Sequence, residues 1–378
     1  MTADCILTNA RIVLHDEIVK GTVVVRDGKI AEIDTAKSAA GEDLDGELLM
    51  PGLVEVHTDH LEKHAIPRPG VFWNPMTALF AHDAQLCGAG ITTVLDAVRI
   101  GDREHEVGRS GHVIDTIEQI ADCREKGLLR SDHLLHIRCE VSSPDVIGLF
   151  EEIQDQPLIR LVSLMDHTPG QRQFTDLSQW RKYYGGKTGK DDKALQELRE
   201  GMEANAEKYS DPHRRHLAAA CRDRGYVLAS HDDATEEHVA EAIELGLTVC
   251  EFPTTHEAAA AAKREGMRIV AGAPNVVRGG SHSGNVSAVD LATSGNLDAL
   301  SSDYVPVSLL HSAFLLRDNA GIELPVALRM ISSAAAEMVE LGDRGEIAVG
   351  KRADLIQVSD SFAAPVIRRV WREGSRVA

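Results

Sequence analysis

From Leu53 onward the sequence alternates short apolar runs with longer helix-like stretches, and this rhythm restricts the fold more than any other feature of the chain. Eight runs stand out: Leu53–His57, Thr92–Asp96, Leu134–Cys139, Ile159–Met165, Tyr226–Ser230, Thr248–Phe252, Met267–Ala271 and Ala299–Asp303. Apolar runs separated by helical patterns predict βα units and a parallel sheet. Eight units over roughly 290 residues match the count and length of an α/β fold of the (β/α)8, TIM-like barrel type. No glycine-rich dinucleotide fingerprint follows the first run, which argues against a Rossmann arrangement. Helix signals fall between the runs. Asn74-Pro75 reads as an N-cap with proline at the first helical position, and Gly88 and Gly90 lie near that helix's end. Residues 236–245 and 256–265 are further helix candidates.

The chain ends follow a different pattern. The runs Cys5–Leu14, Thr22–Arg26, Lys29–Ile33 and Glu47–Leu49 are rich in β-forming residues, with a hairpin signal at Asp27-Gly28. After residue 340 the strings GEIAVGKRADLIQV and PVIRRVWREG return to that character. At 378 residues the chain exceeds one ordinary core. The expectation is a small β-sandwich built from residues 1–50 plus 345–378, and a barrel over 51–344. Residues 168–224 interrupt the rhythm with a long polar stretch. A connection of that length reads as an active-site lid or an oligomer arm, and alternatively as a solvated helical insertion.

A net charge of −19 argues against general nucleic-acid binding and against anionic membranes. No apolar run approaches the length of a membrane span, and the first residues lack a leader-like core. The six cysteines form no CxxC pair, which predicts reduced thiols and a cytoplasmic setting. Homo-oligomerisation is left open.

In a (β/α)8 barrel the active site lies at the C-terminal ends of the strands. The first run ends in His57-Thr58-Asp59-His60, with Glu62 and His64 just behind. Alternate residues of a strand share a face, so His57 and Asp59 are expected to point the same way. Later runs end in Asp96, Glu140, Asp166-His167, His231-Asp232-Asp233, Glu251 and Asp303. A lone histidine at a strand end is more often structural than a ligand. Convergence changes that balance: His57, Asp59, Glu140, His167, His231 and Asp303 are predicted at one mouth as ligands for one or two divalent ions. Mixed imidazole and carboxylate donors suit zinc first, then manganese or iron. Glu140 is a candidate bridge between two ions. Asp303 is the candidate general base for a water whose pKa a metal lowers.

The string Arg278-Gly279-Gly280-Ser281-His282-Ser283-Gly284-Asn285 is a second signal. Glycines let backbone N–H groups approach an anion, and arginine offers a fork of donors to phosphate oxygens. With Lys63, Arg68, Arg99 and Arg172 near other strand ends, these residues predict a polyphosphate site inside an acidic protein. A flexible surface loop is the bland alternative for this segment.

Taken together, MPGLVEVHTD, the strand-end residues His167, His231 and Asp303, and GEIAVGKRADLI resemble the amidohydrolase superfamily of metal-dependent hydrolases over the whole chain. More narrowly, HTDHLEKHAIPRPG, AHDAQLCGAGITTVLDA, SLMDHTPGQRQF, SHDDAT and GAPNVVRGGSHSGN resemble the diphosphatase family that acts on α-D-ribose 1-methylphosphonate 5-triphosphate in the carbon–phosphorus lyase pathway. The resemblance implies hydrolysis of a triphosphate arm, with a phosphorylated small molecule as substrate and pyrophosphate as product. The chain departs from the superfamily in carrying His-x-Asp rather than His-x-His at the first strand. Its later histidines also fall on the fourth and fifth runs, where the superfamily uses the fifth and sixth strands. A cyclic-amide hydrolase or deaminase, and a catalytically inert barrel subunit, are the alternative readings.

Overall fold

The computed structural model describes residues 4–378 apart from 37, 39, 69, 102–109, 171, 173–176, 189–190 and 282–283. Five strands open the chain: β1 (Cys5–Val13), β2 (Ile18–Arg26), β3 (Lys29–Asp34), β4 (Glu42–Asp43) and β5 (Leu48–Pro51). Eight strands then form the barrel: β6 (Leu53–Thr58), β7 (Ile91–Ile100), β8 (Asp132–Glu140), β9 (Ile159–Met165), β10 (Val227–His231), β11 (Val249–Glu251), β12 (Arg268–Gly272) and β13 (Ala299–Ser301). The last three are β14 (Leu355–Ser359), β15 (Val366–Arg372) and β16 (Ser375–Arg376).

Strands β6 to β13 pair in sequence order, parallel throughout, and each falls on one of the eight apolar runs. His167 and His231 therefore do follow the fourth and fifth barrel strands. The seam between β6 and β13 closes without a regular ladder. Low in the seam, Val54 N–H donates to Ile331 O (3.1 Å) and Leu300 N–H to Met330 O (2.8 Å), so a two-residue segment is wedged between the strands. Higher up, the buried Glu55 carboxylate accepts from Ser302 N–H (2.6 Å) and His57 N–H (2.7 Å). A side chain thereby supplies acceptors that a neighbouring strand would have provided. At the top, Thr58 bridges Asp303, and Asp303 N–H donates to His57 O (3.1 Å). The seam thus holds the first and last strand ends side by side at the mouth.

Helices cover the barrel's outer face. The helix Pro75–Gly88 begins as its sequence predicts, with the Asn74 side chain accepting from Thr77 N–H. Residues 177–224 form two helices, Leu177–Thr188 and the 33-residue Asp192–Arg224. The long helix serves two purposes. Its C-terminal part buries Leu217, Ala218 and Cys221 in the barrel core. Its N-terminal part packs Leu195, Leu198 and Met202 against Trp180 and Tyr184 in a separate apolar cluster. The polar stretch of the sequence is thus part barrel helix and part excursion over the mouth.

The chain ends meet in one mixed sheet. β14 pairs with β5 on one side and β15 on the other, while β1 pairs with β2, β4 and β5. The two ends are therefore stitched into a continuous sheet, which encloses its own core of Leu7, Ile12, Val23, Val25, Ile30, Leu355 and Trp371. Asp27 and Gly28 both take positive φ (49° and 74°), as a two-residue hairpin turn demands. A buried ion-pair cluster ties this region to the barrel floor. Asp132 of β8 accepts from Arg344 Nη1 (2.7 Å), Arg352 Nη1 (3.1 Å) and Arg124 Nε (2.9 Å). Burial opposes ionisation of Asp132, but these three guanidinium groups hold its carboxyl well below the usual range. Among the described residues no helix is long and apolar enough to cross a membrane.

Candidate active site

The C-terminal ends of the barrel strands surround a cleft of about 410 Å³, within the size range of small-molecule sites. Its wall includes His57, Asp59, His167, His231, Asp232 and Asp303. His57 and Asp59 both face the cleft, while His60 turns the other way and packs against His82.

Two buried carboxylates set the three histidines. Glu251, at the end of β11, stands between two of them. His57 Nδ1–H donates to its Oε1 (2.6 Å) and His231 Nδ1–H to its Oε2 (2.7 Å), and Ser163 Oγ–H also donates to Oε2 (2.9 Å). Burial opposes ionisation of Glu251, yet the neighbouring His57 and His136 and the bonds from both donor rings hold its carboxyl well below the usual range. A carboxylate accepting at Nδ1 leaves Nε2 of each ring with its lone pair, the tautomer a metal ligand needs. Glu140 treats His167 the same way. Its Oε2 accepts from His167 Nδ1–H (2.6 Å), and its Oε1 accepts from His167 N–H (2.9 Å) and Ser142 Oγ–H (3.0 Å). Arg99 Nη2 lies 3.4 Å from the same carboxylate.

Asp232 completes the group. It sits just past β10 with φ 57°, a left-handed conformation that aspartate tolerates better than most residues. Its Oδ2 lies 3.5 Å from His231 Nε2 and 4.0 Å from His167 Nε2, and is buried without a hydrogen-bond partner. An orphaned buried carboxylate oxygen facing two imidazole nitrogens is costly on its own, and a cation among them removes the cost. His167, His231 and Asp232 offer ligand atoms within 4.8 Å of one another. The donor set therefore fits a divalent metal, with His57, Asp59 and Asp303 on the same wall. Asp303 also has positive φ (51°), and its pKa is raised by burial and by the charge of Asp59.

Basic and polar groups line the rest of the cleft: Arg99, Arg138, Arg278, Gly280, Ser281 and Asn285. Tyr184, from the excursion over the mouth, lines it too. The segment after β12 begins as a short helix, Ala273–Arg278, closed by Gly279 in the left-handed conformation (φ 77°). Asn275 holds the following turn, its Nδ2 donating to Val286 O (3.1 Å) and its Oδ1 accepting from Ala288 N–H (3.1 Å). Gly279 thus caps the helix, while its neighbours reach the cleft. His282 lies outside the described residues.

Three of the basic residues expected at an anion site are placed elsewhere. Arg172 is buried against Asp233 (2.5 Å) and Glu241 (2.8 Å), away from the cleft wall. The reason is charge: Asp233 is fully buried and needs a cation, and Arg172 supplies it. Lys63 donates to the Tyr304 backbone carbonyl and lies over that ring at 5.1 Å, on the rim. Arg68 is exposed in a short bridge to Val71. The cleft instead uses Arg138, which sequence reasoning passed over. Its signal was present, since a basic residue inside the apolar run LLHIRCE shares a face with Glu140 two residues on. Arg138 Nε is buried without a hydrogen-bond partner.

Asp96 belongs to a different place. On the outer face of β7 it accepts from His82 Nε2–H (2.8 Å) and His133 Nδ1–H (2.7 Å), and His133 Nε2–H donates to Asp83 (3.2 Å). Burial alone would lower the His133 pKa, but the two carboxylates around it push it up to about 9.

Comparison with known proteins fits this geometry. No family model matches the chain. The alpha-D-ribose 1-methylphosphonate 5-triphosphate diphosphatase of Escherichia coli (strain K12) is 45% identical over 376 residues, which span 98% of this chain and all of that protein. N-acetylglucosamine-6-phosphate deacetylase from Pasteurella multocida shares the fold at a TM-score of 0.65 and 14% identity, over 99% of both chains. So does 5-methylcytosine deaminase from Klebsiella pneumoniae, at a TM-score of 0.66 and 13% identity over 99% of this chain and 98% of that one. Full-length identity of this order, on the amidohydrolase fold and with imidazole and carboxylate donors gathered at the barrel mouth, shows that the chain belongs to the alpha-D-ribose 1-methylphosphonate 5-triphosphate diphosphatase family.

Proposed function

We propose that this chain hydrolyses α-D-ribose 1-methylphosphonate 5-triphosphate to the 5-phosphate and pyrophosphate, at the cleft described above and with a divalent metal. The observation that carries the reading is the juxtaposition of two sets of groups. Three carboxylate-oriented or carboxylate-flanked histidines surround an orphaned Asp232 oxygen, and an arginine-lined wall stands beside them in a chain of net charge −19. A protein this acidic attracts a polyphosphate only through such local positive charge. The likeness to the Escherichia coli diphosphatase supplies the substrate class.

We assign metal binding to His57, His167, His231 and Asp232, with Asp59 and Asp303 at its edge. Glu140, expected as a bridging ligand, is assigned to orienting His167, because His167, Ser142 and Arg99 already take up its oxygens. Zinc suits this mixed nitrogen and oxygen set best. When bound, the ion lowers the pKa of water and neutralises phosphate charge. The chain's own residues do the rest. Glu251 and Glu140 hold the rings in one tautomer. Asp303, kept basic enough by burial and by Asp59, takes the proton of the attacking water. Water oxygen bonds to phosphorus, the phosphoric anhydride bond breaks, and pyrophosphate leaves with the electron pair. Arg138 and Arg278 offset the charge of the in-line transition state. Tyr184 screens the cleft from solvent. Buried free thiols such as Cys139 and Cys250 support a reducing, cytoplasmic setting.

A barrel of this fold also hosts deaminases, so the fold alone does not select the chemistry. The test is pyrophosphate release from the triphosphate, measured before and after chelation and again after zinc is restored. Metal-dependent release is expected. Ammonia released from adenine or another aminopurine, with no pyrophosphate from the triphosphate, would reject the reading.

A further inference from the structure

We infer that His60, His64 and His82 form a second cation site, on the outer side of the barrel, that takes zinc or a similarly nitrogen-seeking divalent ion. The three rings come from separate pieces of local structure. His60 follows β6 and faces away from the cleft. His64 lies one turn later in the short helix Leu61–Ala65, and His82 lies in the helix Pro75–Gly88. Helical spacing of four residues puts His60 and His64 over one another, with ring centroids 4.9 Å apart. His82 joins them at 5.5 Å and 6.2 Å. One nitrogen from each lies within 4.8 Å of the others.

The detail of the contacts favours a cation over a plain hydrogen bond. His82 Nε2–H donates to Asp96, so His82 Nδ1 carries a lone pair, and that lone pair faces His60 Nδ1 at 3.2 Å. Two ligand nitrogens on one tetrahedral ion at about 2.0–2.1 Å lie about 3.3–3.4 Å apart, which this separation matches. A carboxylate behind a ligating histidine is the usual support of a metal-bound imidazole, and Asp96 holds that place with His133 fixing its other oxygen. A hydrogen bond from His60 to His82 would account for two of the rings but not the third. The half-buried His64 ring has the Gln85 side chain as a hydrogen-bonding neighbour, yet its Nε2 is shielded from solvent and has no hydrogen-bond partner within bonding geometry. A cation satisfies all three nitrogens at once and leaves a fourth position for water. Such an ion would staple the segment after β6, which carries His57 and Asp59, to the helix Pro75–Gly88. The site does not depend on the reaction proposed for the mouth.

The test uses the full chain, purified with zinc and then exhaustively dialysed. Elemental analysis of His64→Ala is expected to give one equivalent of zinc less than wild type, with the far-ultraviolet circular dichroism unchanged. Asp232→Ala, altered only at the mouth, is expected to keep the ion at the three histidines. Anomalous diffraction of the wild-type protein at the zinc edge is the measurement that does not rely on a variant folding. It should place a peak within bonding distance of all three imidazoles. No peak there, or an unchanged zinc ratio in folded His64→Ala, would overturn the inference.

Discussion

Glu251 binds His57 and His231 with one oxygen each, at 2.6 and 2.7 Å, so a single buried carboxylate sets two histidines from β6 and β10, four positions apart in the barrel order. Replacing it by glutamine turns one acceptor into an NH2 donor facing a ring N–H. One of the two imidazoles must then flip its tautomer or lose its bond. Glu251→Gln is expected to weaken metal retention and pyrophosphate release by about 10–100-fold, read by metal analysis and turnover. Wild-type metal content in the variant would show that the carboxylate does not set these rings.

Asp303 stands at the seam, its N–H donating to His57 O and its carbonyl accepting from the Thr58 hydroxyl, with burial and Asp59 raising its pKa. Asp303→Asn removes the proton acceptor but keeps the side chain's shape. Turnover should fall by about 10²–10⁴-fold while circular dichroism stays that of wild type. A rate within a few-fold of wild type would take the role of general base away from Asp303.

Arg138 has a buried Nε with no hydrogen-bond partner at the wall of the mouth, beside Arg99 and Arg278. Arg138→Ala should lower kcat/KM for the triphosphate by about 10²–10³-fold, the scale of losing a preorganised charge-stabilising group. Arg68→Ala, on the exposed side, should leave kcat/KM close to wild type. Equal effects of the two changes would contradict this placement.

The Asp132 cluster makes a prediction about stability rather than catalysis. Its folded pKa is depressed by three arginines below the ordinary value of about 3.9. The sign follows: its stabilisation is present above that ordinary value and is lost as pH falls toward the folded pKa. Asp132→Asn is expected to cost about 3–5 kcal/mol near pH 7, and the gap from wild type should narrow on acidification below about pH 4. Urea unfolding at several pH values reads both. A gap that widened in acid would reverse the assignment.

Much of the fold was legible in the sequence because burial leaves a periodic mark. A barrel strand covered on both faces reads as an apolar run, and every one of the eight runs became a strand. The capping residues at Asn74 and the turn at Asp27-Gly28 acted locally, so they too were readable. The site was readable only in part. Strand-end histidines and carboxylates announce themselves, but which carboxylate orients which histidine does not. Glu251 lies 194 residues from His57 in sequence, and only barrel closure makes them neighbours. Arg172 shows the converse case. A basic residue close in sequence to a strand end was expected to face the substrate, whereas Asp233 and Glu241 bind it behind the wall. The pairing of His60 with His82 depends on how one helix packs on the barrel, which no local pattern records.

The most direct test of the account is the product balance of one reaction. Phosphorus NMR should follow purified, zinc-loaded enzyme acting on α-D-ribose 1-methylphosphonate 5-triphosphate. The account predicts pyrophosphate and the 5-phosphate appearing in equal amounts, with the phosphonate resonance retained, and no reaction after chelation. Orthophosphate as the first product, or an unchanged triphosphate in the presence of metal, would contradict it.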